Sequence, residues 1–570
     1  MNTIIKLTLL ILFVVGLLTG NSYGSHKHGT TGKITGKIID AKDKAPLIGA
    51  TVKIEGIFSG AITDNNGEFT ILNIDVGTYT ITASYIGYDP EKVSEVKVSA
   101  DLTSTVNFFL NPTGNEIATE EIELVGKRNA ISPDQSGRII SQEFIENSGI
   151  RGIENIAATT AGAVQDEKGT AVNIRGGRVN ETAIIIDGVL TTNPLDGKST
   201  QYVSNNSLEE LAVLTGGFSA EYGNIMSGVI NVTTKSGTDK FSGALEGVTD
   251  EIMANRISQG YNIYNAALGG PLIPTKKLSG FANFFAGYES NFSRVAYPSW
   301  ISDQLELPDN ILPDFTLNRC SFNGKLNFDL QALNQKLPIQ LKFGTGLSKT
   351  DRRIFAQTYM MFNSQRNPLI EESSNQYHGK INHQINSKFF YEMQFNHFDA
   401  SFMRGDPEFR GNIYSYGDTS KVIGLTIPGG GIFFDEYGVM FKHNRVGNYY
   451  KQSNSSYWGL NLNSTYQLKN NEIKFGGDYK YNTIRFLEMN PAGLNKFLGK
   501  PAGEQLSAFN GRVASANYYG YVTIFNSSTG MLEIQETNST GFNAPKHPVI
   551  AGLYILDKVE FKDFTMNVGL

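Results

Sequence analysis

A single cysteine, Cys320, stands in 570 residues, which excludes a disulfide framework and cysteine-ligated zinc. Charged side chains are sparse as well, at 18% against about a quarter in ordinary soluble domains. The formal net charge of −6 offers no basic face, so nucleic acid is excluded as a partner. Neither His-Glu-x-x-His nor Gly-x-Ser-x-Gly occurs. Gly197-Lys198-Ser199 echoes the end of a phosphate loop, but Thr192 stands where that loop needs glycine. His26 and His28 lie in a tail, and His378, His383 and His397 fall on predicted barrel strands or turns, where lumen or interface positions explain them without a metal. No enzyme activity, cofactor or metal site is therefore expected. Past the amino terminus no run of 18 apolar residues occurs, so any membrane span there is made of strands.

What the chain does contain is glycine (60 residues) and aromatic side chains (11%), a balance suited to a β-rich protein with one surface not meant for water. Residues 1–24 read as a secretory signal peptide: a short basic start to Lys6, an apolar stretch Leu7–Leu18, and the small-residue end Ser22-Tyr23-Gly24. Residues 33–112 show short alternating strands around Pro46–Ile54 and Gly77–Ala83, with Asn66-Gly67 as a hairpin turn whose central residues need positive φ. Residues 113–130 form an acidic linker in which Glu121, Ile122, Glu123, Leu124 and Val125 alternate as a strand-forming docking peptide would. Residues 131–237 are glycine-punctuated: Asn173-Ile174-Arg175-Gly176-Gly177-Arg178, an apolar strand Thr182–Ile186 ending in Asp187-Gly188, Tyr222-Gly223, and Gly228–Lys235. From 238 to 570 the pattern alternates with period two, as in Phe322–Leu330, Trp458–Asn463 and Ile473–Asn482. Similar segments are Phe241–Gly247, Tyr261–Gly269, Phe281–Tyr288, Ile339–Leu347, Tyr377–Ile385, Phe389–Phe398, Val549–Phe561 and Phe564–Leu570. Many run to about nine to eleven residues, the length with which a tilted strand crosses a bilayer. Short and long polar connections alternate between them, as periplasmic turns and extracellular loops do.

Two resemblances follow from these residues. The Gly-x-Ile-x-Asp opening at 36–40, Pro46–Val52 and Thr63-Asp64-Asn65-Asn66-Gly67-Glu68-Phe69 resemble the carboxypeptidase regulatory-like domain. That resemblance implies a transthyretin-like β-sandwich without catalysis. Asn173–Gly177, Ile186–Val189, Tyr222-Gly223 and Gly228–Lys235 resemble, in order, the motifs of the plug of TonB-dependent outer-membrane receptors. The fold this implies is mainly β: a sandwich, then an α/β plug with a helix-rich start at Ile139–Ile145 and Gly152–Ile156, then an antiparallel transmembrane barrel. The class has about 22 strands, so the segments in 238–570 amount to about half of such a wall, and the sequence is expected to be a fragment of a longer protein.

In function, the resemblance implies ligand-gated uptake of a scarce, large ligand (siderophore-like, cobalamin, oligosaccharide or peptide) across the outer membrane of a Gram-negative cell. A TonB-type energy-transducing protein of the inner membrane would meet Glu121–Val125. Arg175 and Arg178 would seek barrel carboxylates from inside the lumen, because a buried unpaired charge is costly. Outer-membrane lipid and an extracellular small ligand are the other implied partners, and a surface lipoprotein is a further candidate. An adhesin or assembly protein that uses its barrel as an anchor is the competing reading.

Overall fold

The structure is a computed structural model in which residues 31–113, 136–165, 171–251, 260–275, 280–296, 311–354, 364–417, 432–434, 440–442, 447–561 and 564–570 are described, apart from 58, 219, 224, 335 and 469. The leader at 1–24 and the docking segment Glu121–Val125 lie outside the described residues.

The first module is a sandwich of short strands: β1 (Thr31–Asp40), β2 (Thr51–Ile54), β3 (Gly60–Ile62), β4 (Glu68–Asp75), β5 (Gly77–Ser84), β6 (Glu91–Val98), β7 (Thr103–Thr105) and β8 (Phe108–Leu110). One sheet is β4-β1-β7 with β8 continuing along β1, and the other is β3-β2-β5-β6. Alternation puts Ile34, Ile38, Val52, Ile54, Ile81 and Phe108 between the sheets, all fully buried. Burial of each such side chain contributes about 1.5–3 kcal/mol.

The second module contains β9 (Ser136–Ser141), α1 (Gln142–Asn147), α2 (Ile153–Ala157), β10 (Ala163–Gln165), β11 (Val172–Ile174), β12 (Thr182–Ile186), β13 (Val189–Leu190), β14 (Leu208–Gly216) and β15 (Gly228–Thr234). Its sheet runs β13-β12-β15-β14-β9, with β12 and β15 parallel and the other pairs antiparallel. Every residue of β12 and β15 is buried, the polar Thr182, Asn231, Thr233 and Thr234 together with the apolar majority. Ile139-Ile140-Ser141 is a strand here, not part of a helix: it pairs with Glu210–Ala212, and the helix begins at Gln142. β-Branched isoleucines at a sheet edge gain more from that pairing than from a helical turn.

The third module is a wall. Its strands are β16 (Ser242–Thr249), β17 (Asn262–Pro271), β18 (Ala282–Ala296), β19 (Ile311–Asp329), β20 (Ile339–Arg353), β21 (Leu369–Asn386), β22 (Phe389–Gly405), then the short β23 (Ile432–Phe434) and β24 (Met440–Lys442). They continue with β25 (Tyr450–Leu468), β26 (Asn471–Met489), α3 (Ala502–Asn510), β27 (Asn517–Tyr519), β28 (Tyr521–Asn526), β29 (Met531–Glu536), β30 (Val549–Phe561) and β31 (Phe564–Gly569). β16 to β22, β25, β26, β30 and β31 form one antiparallel sheet of sequential neighbours, with β27 paired to the end of β26. Each of the alternating segments from 238 to 570 coincides with part of one of these strands, to within a residue at either end.

Several strands exceed the lengths that alternation suggests, reaching 19 residues in β19, β25 and β26. Register explains the difference. On the outer face Tyr377, His397, Trp458 and Tyr481 share one rung, and His397 stacks on Trp458 at 4.0 Å. Below it lies the rung Phe343, Gly379, Phe395, Leu460 and Tyr479. Lower still are Tyr391, hydrogen-bonded to His383 at 3.1 Å, and Phe389, packed edge-on against Tyr466. Eight residues separate Phe389 from His397, about 27 Å along a strand, which fits an apolar band of about 25 Å edged by aromatic girdles once tilt is allowed for. Above the upper girdle the outer face turns polar, as in the rung Ser373, Ser401, Asn454 and Arg485. Strands continue there beyond the membrane, and the hydrophobic alternation that marks them ends. Long connections at that end pack into a cap with its own core, including Phe409, Tyr416, Tyr450, Leu494, Phe509 and Leu532.

Candidate functional site: the plug and the wall that holds it

The inner face of the wall is polar and meets the second module. β12 ends in Asp187-Gly188, with φ +52° and +81°. This turn aims the buried Asp187 carboxylate at the wall, where Lys325 of β19 pairs with Oδ1 at 2.7 Å. The Thr234 hydroxyl donates to Oδ2 at 2.7 Å and the Thr234 amide to Oδ1 at 3.0 Å. Burial opposes ionisation of Asp187, yet the Lys325 charge and the bonds from Lys325 and Thr234 hold its carboxyl below the usual range. Gln394 of β22 donates to the Asp187 carbonyl at 3.0 Å and leaves no room for a side chain at 188. Further out, the Tyr457 hydroxyl donates to the Leu190 carbonyl at 2.9 Å, and Val189 packs against Phe398 and Tyr457.

Two more polar contacts fix the far side. The Tyr202 hydroxyl donates to Glu289 of β18 at 2.8 Å, and Arg151 pairs with Glu246 of β16. The remaining motif residues divide. Arg175 (φ +50°), Gly176 and Arg178 lie at the exposed turn after β11, and among the described residues neither arginine is paired with a wall carboxylate. The Arg178 amide instead donates to Glu181 at 2.9 Å. Gly177 is packed so closely against Ser227 that a Cβ would overlap it. Tyr222 is buried, Gly223 follows it in a turn, and Gly228 opens β15 against Ile174.

Sequence reasoning did not find the wall-side partners Lys325, Gln394, Glu246 and Glu289. The available signals were Lys325 and Glu246, charged residues at inward positions of the alternating stretches Phe322–Leu330 and Phe241–Gly247.

The sandwich also reaches the wall. Lys33 pairs with Glu472 of β26 at 2.5 Å and with Glu560 of β30 at 2.7 Å. Lys474 pairs with Asp101 of the sandwich at 3.2 Å, with Glu221 of the second module at 3.7 Å and with Glu472 at 3.6 Å. Lys342 pairs with Asp75. Sandwich and plug also touch each other: the Ala100 amide donates to Glu210 at 3.2 Å. Burial pushes the Glu210 carboxyl up to about 7, although bonds from Ser99 and Ala100 favour its charged form.

A β-module held by polar contacts against the inner face of an antiparallel, lipid-faced wall is the arrangement of a plugged outer-membrane barrel. Comparison with known proteins agrees. Residues 34–120 match the CarboxypepD_reg-like domain and residues 130–229 the TonB-dependent Receptor Plug Domain. The TonB-dependent transporter Oar of Myxococcus xanthus is 27% identical over 321 residues, covering 50% of this chain and 29% of that protein. The TonB-dependent receptor SusC of Bacteroides thetaiotaomicron is 32% identical over 216 residues, or 34% of this chain and 20% of that one. Among solved structures, the outer membrane transporter YddB from Escherichia coli is similar with a TM-score of 0.47 at 12% identity, covering 76% of this chain and 55% of that chain. The matched stretches thus span less than a third of the two curated relatives. The chain carries the plug of a TonB-dependent receptor behind a CarboxypepD_reg-like domain, and its place is the outer membrane.

Proposed function

We propose that the chain serves energised uptake: a ligand captured on the extracellular side enters the lumen when the plug is remodelled from the periplasm. The observation that carries this reading is the nature of the plug's attachment. Among the described residues the plug meets the wall through hydrogen bonds and ion pairs at Asp187, Leu190, Tyr202, Arg151, Gln201 and Glu221, with an apolar contact at Val189. Such contacts can be exchanged for water one at a time, whereas an apolar interface resists separation in proportion to its area. Glu121, Ile122, Glu123, Leu124 and Val125 are the segment that a TonB-type inner-membrane partner would grip, by adding a strand to its own sheet. Arg175, Gly176, Gly177 and Arg178 would form the plug turn that shifts with it. A surface lipoprotein would dock on the extracellular cap. Siderophore-like ligands, cobalamin, oligosaccharides and peptides remain the candidate cargo.

Deleting Glu121–Val125 from the full-length protein is the test. Uptake into cells should fall to the level of cells lacking the protein, with unchanged amounts of it in the outer membrane. Undiminished uptake would end this reading. The anchor reading draws its support from the packed extracellular cap around Phe509, and it predicts surface attachment that survives the same deletion.

A further inference from the structure

Register on β22, β25 and β26 shows which side chains line the lumen above the plug. Gln394 reaching Asp187, Tyr457 reaching Leu190 and Lys474 reaching Glu221 define the inward phase of each strand. Pairing continues without a bulge to the extracellular ends, so the same phase carries Arg404, Lys451 and Glu488 on one rung. Two residues below, Phe402, Ser453 and Phe486 form the next inward rung. Lys451 Nζ lies 5.4 Å from the ring centres of both Phe402 and Phe486. The Arg404 guanidinium is 4.9 Å above the Tyr449 ring, and the Tyr449 hydroxyl donates to Glu488 at 2.7 Å. Tyr519 stacks on Phe486 at 5.8 Å, with Lys546 Nζ 5.7 Å over its ring.

Two cations and one carboxylate, Glu488 opposite Lys451, share this rung, which leaves it net positive. Among the described residues no carboxylate forms an ion pair with Arg404 or Lys451, and Arg404 Nε is buried without a hydrogen-bond partner. Nearby Arg366 is the contrast: it lies over Phe409 at 4.1 Å but is neutralised by Asp406 at 2.9 Å and by Glu408. Like charges directly opposite on neighbouring strands repel, so stability does not account for Arg404 facing Lys451. Aromatic rings attract cations through their quadrupoles but do not cancel the charge.

We propose that this rung is an anion-binding subsite on the path to the plug, and that it selects a small organic polyanion with at least two carboxylate-type groups and a flat ring or sugar face. Opposed residues on antiparallel strands sit about 5 Å apart, so two oxyanion groups of one ligand can meet Arg404 and Lys451 together. The guanidinium offers a two-pronged contact to a carboxylate, and the rings of Phe402, Phe486, Tyr449 and Tyr519 offer faces for stacking. Glu488 repels a third anionic group and accepts a hydrogen bond from a ligand hydroxyl, which sets orientation. This subsite deepens the uptake reading and rests on it for direction of travel, but binding at the rung does not depend on an energy source.

The experiment uses the full chain in detergent micelles and follows probe binding by calorimetry. Trigalacturonate represents a sugar acid, benzene-1,3,5-tricarboxylate an aromatic one, and neutral galactotriose the control. At least one anionic probe should bind, identifying the source, and its affinity should fall steeply from low to high salt because the contacts are ionic. Galactotriose should not bind. Arg404→Gln and Lys451→Gln should each weaken the anion by about tenfold or more, and Lys451→Arg should restore most of it. The proposal is overturned if no anionic probe binds, if galactotriose binds as well as they do, if salt has no effect, or if the double substitution leaves binding unchanged. Salt dependence of the unaltered protein decides the matter even where a variant folds poorly. Deleting Glu121–Val125 should leave probe binding intact, so failure of the uptake reading and failure of this one are separately visible.

Discussion

The two ends of the lumen treat charge in opposite ways. At the periplasmic end cations are neutralised across module boundaries: Lys33 by Glu472 and Glu560, Lys474 by Asp101, Glu221 and Glu472, Lys342 by Asp75, Lys325 by Asp187. At the extracellular end Arg404 and Lys451 face each other with aromatic rings for company. Lys325, Lys342 and Lys474 stand on β19, β20 and β26, and Arg404 and Lys451 on β22 and β25, all in the inward phase of one wall, so the difference lies in what occupies the lumen beside them. Below, sandwich and plug bring carboxylates of their own. Above, among the described residues, neither sandwich nor plug brings a carboxylate to Arg404 or Lys451. Charges satisfied by protein hold modules together, and charges left over are available to a ligand.

The sharpest way to break this comparison is at Lys474, where wall, sandwich and plug meet. Lys474→Met removes one cation from Asp101, Glu221 and Glu472 at once, although Glu472 keeps its pair with Lys33 and Asp101 its hydrogen bond to Tyr222. Removing one member of a buried pair costs about 3–5 kcal/mol. A matching drop in the guanidinium unfolding free energy of the full chain, with earlier proteolytic release of the sandwich, is the expected result. An unchanged midpoint would mean that these pairs do not hold the modules.

A second, smaller break concerns acid. Glu210 sits between β14 and the Ser99–Ala100 turn, with Glu209 and Asp101 close by, and its carboxyl is raised to about 7. A carboxyl raised on docking binds its proton more tightly in the docked state. Docking of sandwich on plug is therefore strongest below the free carboxyl's range near 4.5, weakens as pH rises towards 7, and is level above that. The span corresponds to about 3 kcal/mol as an upper bound. Hydrogen exchange at the Ala100 amide, measured from pH 4.5 to 8 after correction for intrinsic rates, should show protection falling with pH. Glu210→Gln should flatten the profile, and an equal slope in parent and variant would assign the effect elsewhere.

How much of this was written in the sequence differs by region for a physical reason. Alternation located the wall because lipid favours apolar and aromatic residues at every second position, as at Phe389, Tyr391, Met393 and Phe395 or at Trp458, Leu460 and Leu462. It stopped at Trp458 and Tyr481 because the next outward residues, Ser456, Asn454, Thr483 and Arg485, are polar, and the outward Tyr450, Leu487 and Met489 higher up are buried in the cap's core instead of alternating against lipid. Asp187-Gly188 was legible through its turn chemistry, its positive φ values following from a strand that must reverse into β13. The partner Lys325 was not, being 138 residues away, where only register between modules decides proximity. Arg175 and Arg178 were expected to seek carboxylates of a complete barrel and to stand exposed beside half a wall; among the described residues they lie at an exposed turn, while Arg151, which no motif marks, makes an ion pair to the wall. The rung Arg404–Lys451–Glu488 was invisible for the same reason as Lys325. Each residue is unremarkable alone, and their meaning arises from three strands aligned over 85 residues of chain.

The smallest expected effect tests the comparison from its other side. If Arg404 and Lys451 are held apart from any structural duty, neutralising one should not destabilise the protein and should relieve repulsion across the strand pair. Cross-strand like charges cost a few tenths of a kcal/mol to about 1 kcal/mol, and the loss of a cation–ring contact offsets part of that gain. Lys451→Gln is accordingly expected to change unfolding free energy by no more than about 0.5 kcal/mol, in contrast to the several kcal/mol at Lys474 on the neighbouring strand. The same substitution should abolish most polyanion binding. A loss of stability comparable to that of Lys474→Met would mean that Lys451 answers a buried carboxylate after all, and the upper lumen would then be a closed ionic joint like the lower one.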